Sequence, residues 1–511
     1  MGLSHLDWAI IAVYLGAVTA FGLRFRSRHR TLRDYFLADR NIPWWAIALS
    51  IVAAETSTLT IISIPGLAYD TNFGFLQVVF GYLLGRIIIA GLLIPQYFRG
   101  DLFTAYQLIE RRFGQRLRSL TAGLFLITRA AAEGVRVFAV AIVVKIALSA
   151  TLPGFNDFQR DVAAIAIVAV LTLIYTFEGG ITAVIWTDVV QLMIYLGGTM
   201  IGLFTLLHLI PGGWGTVWQI AGPAEKFRVF DFSPSFFRTY TFWSGLIGGS
   251  LLTTATHGTD QLIVQRLLAA RSERQSKLAL LSSGVMVLAQ FALFLLIGVM
   301  LFVFYRLYPP PLPFARTDYI FPNFIVTRMP HGISGLLIAA ILAAAMSNLS
   351  AALNALSSTT VIDFLLRRRP EIPEGRRVLF SRVTTLVWGL VLFALAILSR
   401  QGGRVVEVGL ALASVAFGAL LGVFLLGVLT RRVNESSGMV AMLCGFLLNL
   451  YLWQGRAVLG WLQNHSALHW TTLAMRRDVP WTWYVTLGSS VTFAVGCFVS
   501  LVSPPFHRRG R

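Results

Sequence analysis

Apolar residues in this chain come in long blocks, not in alternation and not as stripes on polar helices. Blocks of Leu, Ile, Val, Ala and Phe are parted by short stretches carrying Arg, Asp, Gly and Pro. A run of roughly 20 apolar residues crosses the hydrocarbon of a bilayer as a helix. The pattern predicts about thirteen such spans: 8–23, 44–66, 75–97, 119–149, 162–177, 181–210, 241–264, 278–306, 333–362, 380–399, 406–430, 437–454 and 481–503. Only the short turn Glu178-Gly179-Gly180 separates 162–177 from 181–210. The connections 211–240 and 307–332 are rich in Pro and aromatics, with room for short lid or connecting elements but for no soluble domain.

Composition sharpens this reading. Of 511 residues, 56% are hydrophobic and 13% charged, and the mean hydropathy is +0.72. A soluble domain carries about 25% charged residues. The prediction is an all-α polytopic membrane protein, one membrane domain over 1–511. Water-soluble enzymes and disordered chains are excluded by the same figures. No nucleophile–base pair or metal motif stands out, so no enzyme is expected. Cys444 and Cys497 lie in apolar runs and suggest neither a disulfide framework nor a metal site. The start, Met1 to Asp7, lacks a basic n-region, and an Arg cluster follows 8–23, so that run reads as a retained helix.

The net charge of +19 would suggest nucleic acid in a soluble protein. Here it reads as topology, because cytoplasmic loops collect Arg and Lys. With the N-terminus outside, the inside loops hold about 26 of the 42 basic residues, among them Arg24, Arg26, Arg28, Arg30, Arg111, Arg112, Arg367, Arg368 and Arg369. The outside loops hold about 12. This predicts the N-terminus outside and the C-terminus inside, with membrane lipid as partner, no nucleic acid and no obligate protein partner. The compact loops suggest a bacterial inner membrane.

Polar groups inside the spans carry the candidate chemistry, since an ionisable residue in hydrocarbon is a functional hypothesis by default. Span 44–66 places Glu55 near its centre, in the hydroxyl-rich stretch Thr56-Ser57-Thr58-Leu59-Thr60. Ser and Thr compete for backbone groups and weaken a regular helix. Transporters use such breaks to turn carbonyls toward a cation. Span 241–264 carries Gly245, Gly248 and Gly249, then the polar run Thr253 to Gln261 with His257 and Asp260, and is the second candidate broken helix. Span 119–149 carries Arg129, Glu133 and Arg136, at spacings of four and three that share one face, and Arg86 lies in span 75–97. A guanidinium fork suits a carboxylate, and structural pairing with Glu55 or Glu133 is the alternative. In span 333–362, Ala344, Ser347 and Asn348 face one way and offer hard oxygen ligands.

Four stretches give the chain a family resemblance. Asp34 to Arg40 followed by Trp44-Trp45, Tyr175 to Gly180 running through Thr187-Asp188 to Gln191, Thr259 to Arg266, and Leu342 to Asn354 resemble the sodium:solute symporter (SSS) family. The resemblance implies a LeuT-like fold, a 5+5 inverted repeat with one extra helix before the core and two after. Its core inverted repeats would occupy about 44–210 and 241–454. The two spans marked above as broken are the first of each repeat. By the same resemblance the family's sodium site falls on Ala53 and Thr56 with Ala344, Ser347 and Asn348. The family usually has Ser or Thr where this chain has Asn348, whose amide oxygen can also ligate sodium. Glu55 stands where proline carriers have Asp, and Asp188 matches an acidic residue on the ion path.

The expectation is therefore a sodium-coupled secondary active symporter that imports a small organic solute by alternating access, with sodium as the coupling ion. The sugar-carrier residues of the first core helix are absent, and buried Arg129 and Arg136 favour a carboxylate-bearing solute. Glu55, Thr60, Arg129, Arg136, His257 and Asp260 are the candidate solute-binding residues. The alternatives are a proton-coupled carrier of the same fold, through Glu55 or Asp260, and a channel-like or sensor-like membrane module.

Overall fold

The computed structural model describes residues 3–25, 41–99, 106–148, 154–175, 181–366, 369, 371–401, 403–465 and 478–502. The stretches Asp34 to Arg40 and Thr176 to Gly180, and the basic residues Arg26, Arg28, Arg30, Arg367 and Arg368, lie outside these. The described residues are helical, and their one β contact is an isolated bridge between Ile42 and Ala270.

The helices used below are α1 (His5–Phe25), α2 (Trp44–Glu55), α3 (Thr58–Asp70), α4 (Leu76–Ile88), α5 (Gln115–Leu148), α6 (Asp157–Tyr175), α7 (Ile181–Leu209), α8 (Gly213–Ala221), α9 (Gly249–Gly258), α10 (Gln261–Leu268), α11 (Glu273–Leu307), α12 (Ile320–Arg328), α13 (Ile333–Thr359), α14 (Glu374–Leu398), α15 (Val405–Leu429), α16 (Glu435–His465) and α17 (Tyr484–Val502). Among the described residues, eight helices are long and apolar enough to cross a membrane, and α2 with α3 makes a ninth if the bent pair is one span. The other four predicted spans fall on α1, α5, α6 and the pair α9–α10. Charge interrupts one of these: Arg129, Glu133, Arg136 and Lys145 lie on α5, whereas Asp157, Arg160 and Asp161 of α6 precede its apolar run. The connection 211–240 contains α8, and 307–332 contains α12, so both hold helical elements.

The chain divides into two compact units. The first comprises Met1–Leu76, Arg129–Val229 and Ala269–Gly409. In it α11 packs on α2 and α3, α7 on α2 and α13, α1 on α13, and α14 on α6 and α13. The second comprises Gln77–Thr128, Phe230–Leu268 and Leu410–Arg511, with α16 against α17. Small residues let its backbones meet: a Cβ on Gly249 would stand 2.4 Å from the Val78 carbonyl, and one on Gly81 2.3 Å from the Gly245 carbonyl.

In the first unit α1 is tied to the start of α13 by a buried carboxylate. Asp7 Oδ1 accepts the Gly332 and Gly335 N–H groups at 2.6 and 3.0 Å. These belong to the N-terminal turn of α13, whose amides have no partner within the helix. Asp7 Oδ2 accepts the Ser4 hydroxyl at 2.7 Å and faces His331 Nδ1 at 3.0 Å. Gly335 permits the approach, since a Cβ there would lie 2.6 Å from the Asp7 backbone. Asp7→Ala strips this cap and is expected to destabilise the protein by roughly 1–3 kcal/mol. The check is the thermal midpoint in detergent, where Asp7→Asn should recover part of the loss. An unchanged midpoint in Asp7→Ala would remove the cap from the account.

Candidate functional site: a broken helix, an oxygen-bearing helix and an arginine–glutamate cluster

The first predicted break is present. α2 ends at Glu55, α3 begins at Thr58, and the two axes bend by 63°. The local chemistry explains it. The Thr56 hydroxyl and N–H both turn back to the Val52 carbonyl, at 2.7 and 2.9 Å. The Ser57 N–H then bonds Glu55 at 2.9 Å, not Ala53, and the Thr60 N–H bonds Ser57 at 2.9 Å, not Thr56. The carbonyls of Ala53 and Thr56 are thus released from the helical ladder. Such carbonyls persist at membrane depth only within protein or beside a cavity. Ala53, Thr56 and Thr60 are buried and Glu55 half-buried.

Other helices of the unit hold the break in place. Gln290, on α11, donates its amide to the Thr56 hydroxyl at 2.7 Å, and the Tyr195 hydroxyl on α7 faces both. Ser50 on α2 donates to Asp188 on α7 at 2.6 Å, and Trp45 stands edge-on to Trp186 with centroids 5.5 Å apart. Asp188 is therefore buried and tied to the broken helix. Gln290, Tyr195 and Ser50 escaped the sequence reading, although Gln290 is a lone amide in a long apolar run. Gln290→Met keeps volume and removes the bond, an expected loss of about 1 kcal/mol. A double-mutant cycle with Thr56→Val in the melting temperature tests it, because coupled partners give a non-additive result. Additive losses would mean that the amide does not brace Thr56.

α3 is also fixed at its far end. Lys226 donates to the carbonyls of Tyr69 and Thr71 at 2.7 and 2.9 Å and lies 4.3 Å from the Phe302 ring. Burial pulls the Lys226 ammonium below the usual lysine range, and Asp70 acts in the other direction. Asp318, in the turn before α12, accepts the Ser63 hydroxyl at 2.5 Å and the Val405 N–H at 3.3 Å. Burial raises its carboxyl, against these two bonds and against Arg316 and Arg404. Arg404 in turn bonds Asp70 at the end of α3.

α13 runs unbroken through Ala344, Ser347 and Asn348, which stand at successive turns of one face. Ala344 is buried, and Ser347 and Asn348 are half-buried. Ala53, Thr56, Ala344, Ser347 and Asn348 all belong to the first unit.

On α5, Glu133 pairs with both arginines of the predicted face. Its Oε1 lies 3.0 Å from Arg129 Nε and 2.8 Å from Arg136 Nη1. Arg129 and Glu133 are buried, whereas the Arg136 side chain keeps 31% exposure. Arg86, in the second unit, is buried and donates to the Tyr82 carbonyl at 3.3 Å.

The second predicted break is present in the second unit. α9 ends at Gly258 and α10 starts at Gln261, after five residues of π-helix at Ser244–Gly248. The Tyr97 hydroxyl donates to the Gly258 carbonyl, and the Thr259 hydroxyl to Ala255 at 2.7 Å. Asp260 accepts the Leu262 N–H at 3.0 Å, and His257 Nδ1 lies 2.9 Å from the Thr256 hydroxyl. Both are buried. Their described contacts are local, and the two residues lie in a different unit from the sodium candidates.

Comparison with known proteins gives the class. The model of the sodium:solute symporter family matches residues 35–445. The chain is 30% identical over 459 residues to the sodium/sialic acid symporter SiaT of Proteus mirabilis, covering 86% of this chain and 88% of that protein. It is 28% identical over 460 residues to the human sodium/iodide cotransporter, 87% of this chain and 69% of that one. Among solved structures it resembles a substrate-bound, outward-open sodium-coupled sialic acid symporter, with a TM-score of 0.78, 27% identity, and 98% and 99% of the two chains covered. A nucleobase-cation-symport-1 transporter, at a TM-score of 0.51 and 13% identity, shares the fold alone. The two broken helices thus have the setting that the sequence resemblance predicted, and the chain belongs to the sodium:solute symporter family, integral membrane carriers that couple sodium to a small-molecule solute.

Proposed function

We propose that this chain imports a small carboxylate-bearing solute by alternating access, with sodium held between the break of α2–α3 and α13. The observation that carries the reading is the pair of carbonyls, Ala53 and Thr56, freed by the Thr56 and Ser57 turn. With the Ala344 backbone, the Ser347 hydroxyl and the Asn348 amide they form an all-oxygen donor set, the chemistry a small hard cation takes. Glu55 and Asp188 place negative charge along the ion's route. Sodium bound there braces the broken helix against α13 and favours the state that receives solute. An ion entering down a 100 mV potential supplies roughly 2.3 kcal/mol, and its concentration gradient adds to this.

Arg129 and Arg136 are the solute's charge partners, with Thr60 near the break as a further candidate. Three relatives bear on the carboxylate: one is named for sialic acid, and two, from Xenopus laevis and mouse, for monocarboxylates. The loop charges put the N-terminus outside and the C-terminus inside, in the inner membrane of a bacterium, with one membrane domain over the whole chain.

The test is thermal stability in sodium and in potassium, across small carboxylates and their amides. A ligand of the folded state raises the melting temperature. The reading expects a carboxylate whose shift requires sodium and whose amide gives none. A shift indifferent to sodium but set by pH would replace it with proton coupling through Glu55 or Asp260.

A further inference from the structure

Five arginines from two distant stretches of the second unit are gathered at one end of its helices. The short helix Tyr106–Arg112 and the first turn of α5 carry Arg111, Arg112 and Arg116. The turn between α15 and α16 carries Arg431 and Arg432. Arg112 Nη2 donates to the Thr430 carbonyl at 3.1 Å and joins the two stretches, 318 positions apart in the chain. Glu435 Oε1 accepts the Arg116 and Leu117 N–H groups at 2.5 and 3.2 Å and caps the start of α5. Gly114 permits this approach: its φ is +126°, and a Cβ there would stand 2.7 Å from Glu435 Oε1. Arg111, Arg116, Arg431 and Arg432 are exposed, and among the described residues none of their side chains forms an ion pair. The two carboxylates of these stretches are committed: Glu110 pairs with Arg118 at 2.6 Å, and Glu435 holds the α5 amides.

Below the arginines lies hydrocarbon-facing surface. Leu429, the last residue of α15, is 57% exposed and stands two positions before Arg431. From five residues after Glu435, α16 exposes Val440, Leu443, Leu447 and Leu450, at spacings of three and four that share one face. We propose that the five arginines form a binding site for an anionic phospholipid of the surrounding bilayer, with its phosphate on the guanidinium groups and its acyl chains along α16. Guanidinium forks suit phosphate oxygens, and basic pockets at the ends of membrane helices take anionic headgroups. Loop orientation requires only that Arg and Lys lie on one side of the membrane. It does not require that two stretches be bonded into one surface with both carboxylates occupied. The apolar stripe selects a lipid over a soluble polyanion.

The experiment reads the melting temperature of the delipidated full chain in neutral detergent, as phosphatidylglycerol or phosphatidylcholine is added to the micelle. Phosphatidylglycerol should raise the midpoint and phosphatidylcholine should not. Glycerol 1-phosphate, the same charge without acyl chains, should give no shift. One guanidinium near an anionic surface is worth about fivefold in binding. Arg431→Gln, Arg432→Gln should therefore raise the phosphatidylglycerol concentration for half the shift at least about tenfold. Arg271→Gln, Arg274→Gln, in another basic loop, should leave it unchanged. Equal losses in the two double variants would reduce the effect to general charge and overturn the site, as would equal shifts from the two lipids. A full shift from glycerol 1-phosphate would replace the lipid with a soluble phosphate. Where Arg431→Gln, Arg432→Gln does not fold, Arg111→Gln, Arg116→Gln carries the same expectation, and an unchanged half-shift concentration in it overturns the proposal.

Discussion

A Ser347→Ala, Asn348→Ala double variant is expected to fold and to lose the sodium-dependent rise in melting temperature. Both side chains are half-buried on a helix that stays regular through them, so trimming them leaves the packing of α13 largely intact. What goes is two of the oxygens of the proposed sodium site, and on that proposal the carbonyls of Ala53 and Thr56 cannot complete the shell alone. A site filled at 100 times its dissociation constant contributes about 2.7 kcal/mol of stability. The double variant should forfeit nearly all of that while its midpoint in potassium stays close to wild type. Equal sodium titration curves for the two proteins would move the ion elsewhere.

The second large effect is expected at Arg136. Replacing it with Gln removes the partly exposed guanidinium and leaves Glu133 paired with Arg129 alone. Removing one partner of a desolvated charge pair typically costs about 2–5 kcal/mol. A carboxylate solute should therefore bind at least about thirtyfold more weakly. The sodium-only shift should remain, because the sodium candidates lie on other helices. Arg136→Lys should not rescue, since an ammonium lacks the planar fork that accepts both carboxylate oxygens. Full solute affinity in Arg136→Gln would assign the solute to other side chains.

Much of this was legible in the sequence, and the reasons are local. The break at Thr56 and Ser57 is written in a run of hydroxyl residues that bond their own backbone. The break after Gly258 follows from glycines and from Asp260, which bonds the first turn of α10. The shared face of Arg129, Glu133 and Arg136 needs only helical spacing. What the sequence hid is pairing over distance. Gln290 meets Thr56 across 234 positions, and Asp7 meets Gly332 across 325. No periodicity encodes such pairs, and a buried amide among apolar residues shows only that it needs a partner. The helices within 211–240 and 307–332 were hidden for another reason. They are short, and α12 carries Pro322 within nine residues.

The central claim is that sodium, not a proton, drives solute entry through this chain. Reconstituted vesicles holding the purified protein answer it most directly, with uptake of the carboxylate that shifts its melting temperature. An inward sodium gradient at equal pH should drive accumulation above equilibrium, and Ser347→Ala, Asn348→Ala should abolish it. Accumulation under an inward proton gradient in sodium-free potassium buffer, unaffected by that double variant, would contradict the account.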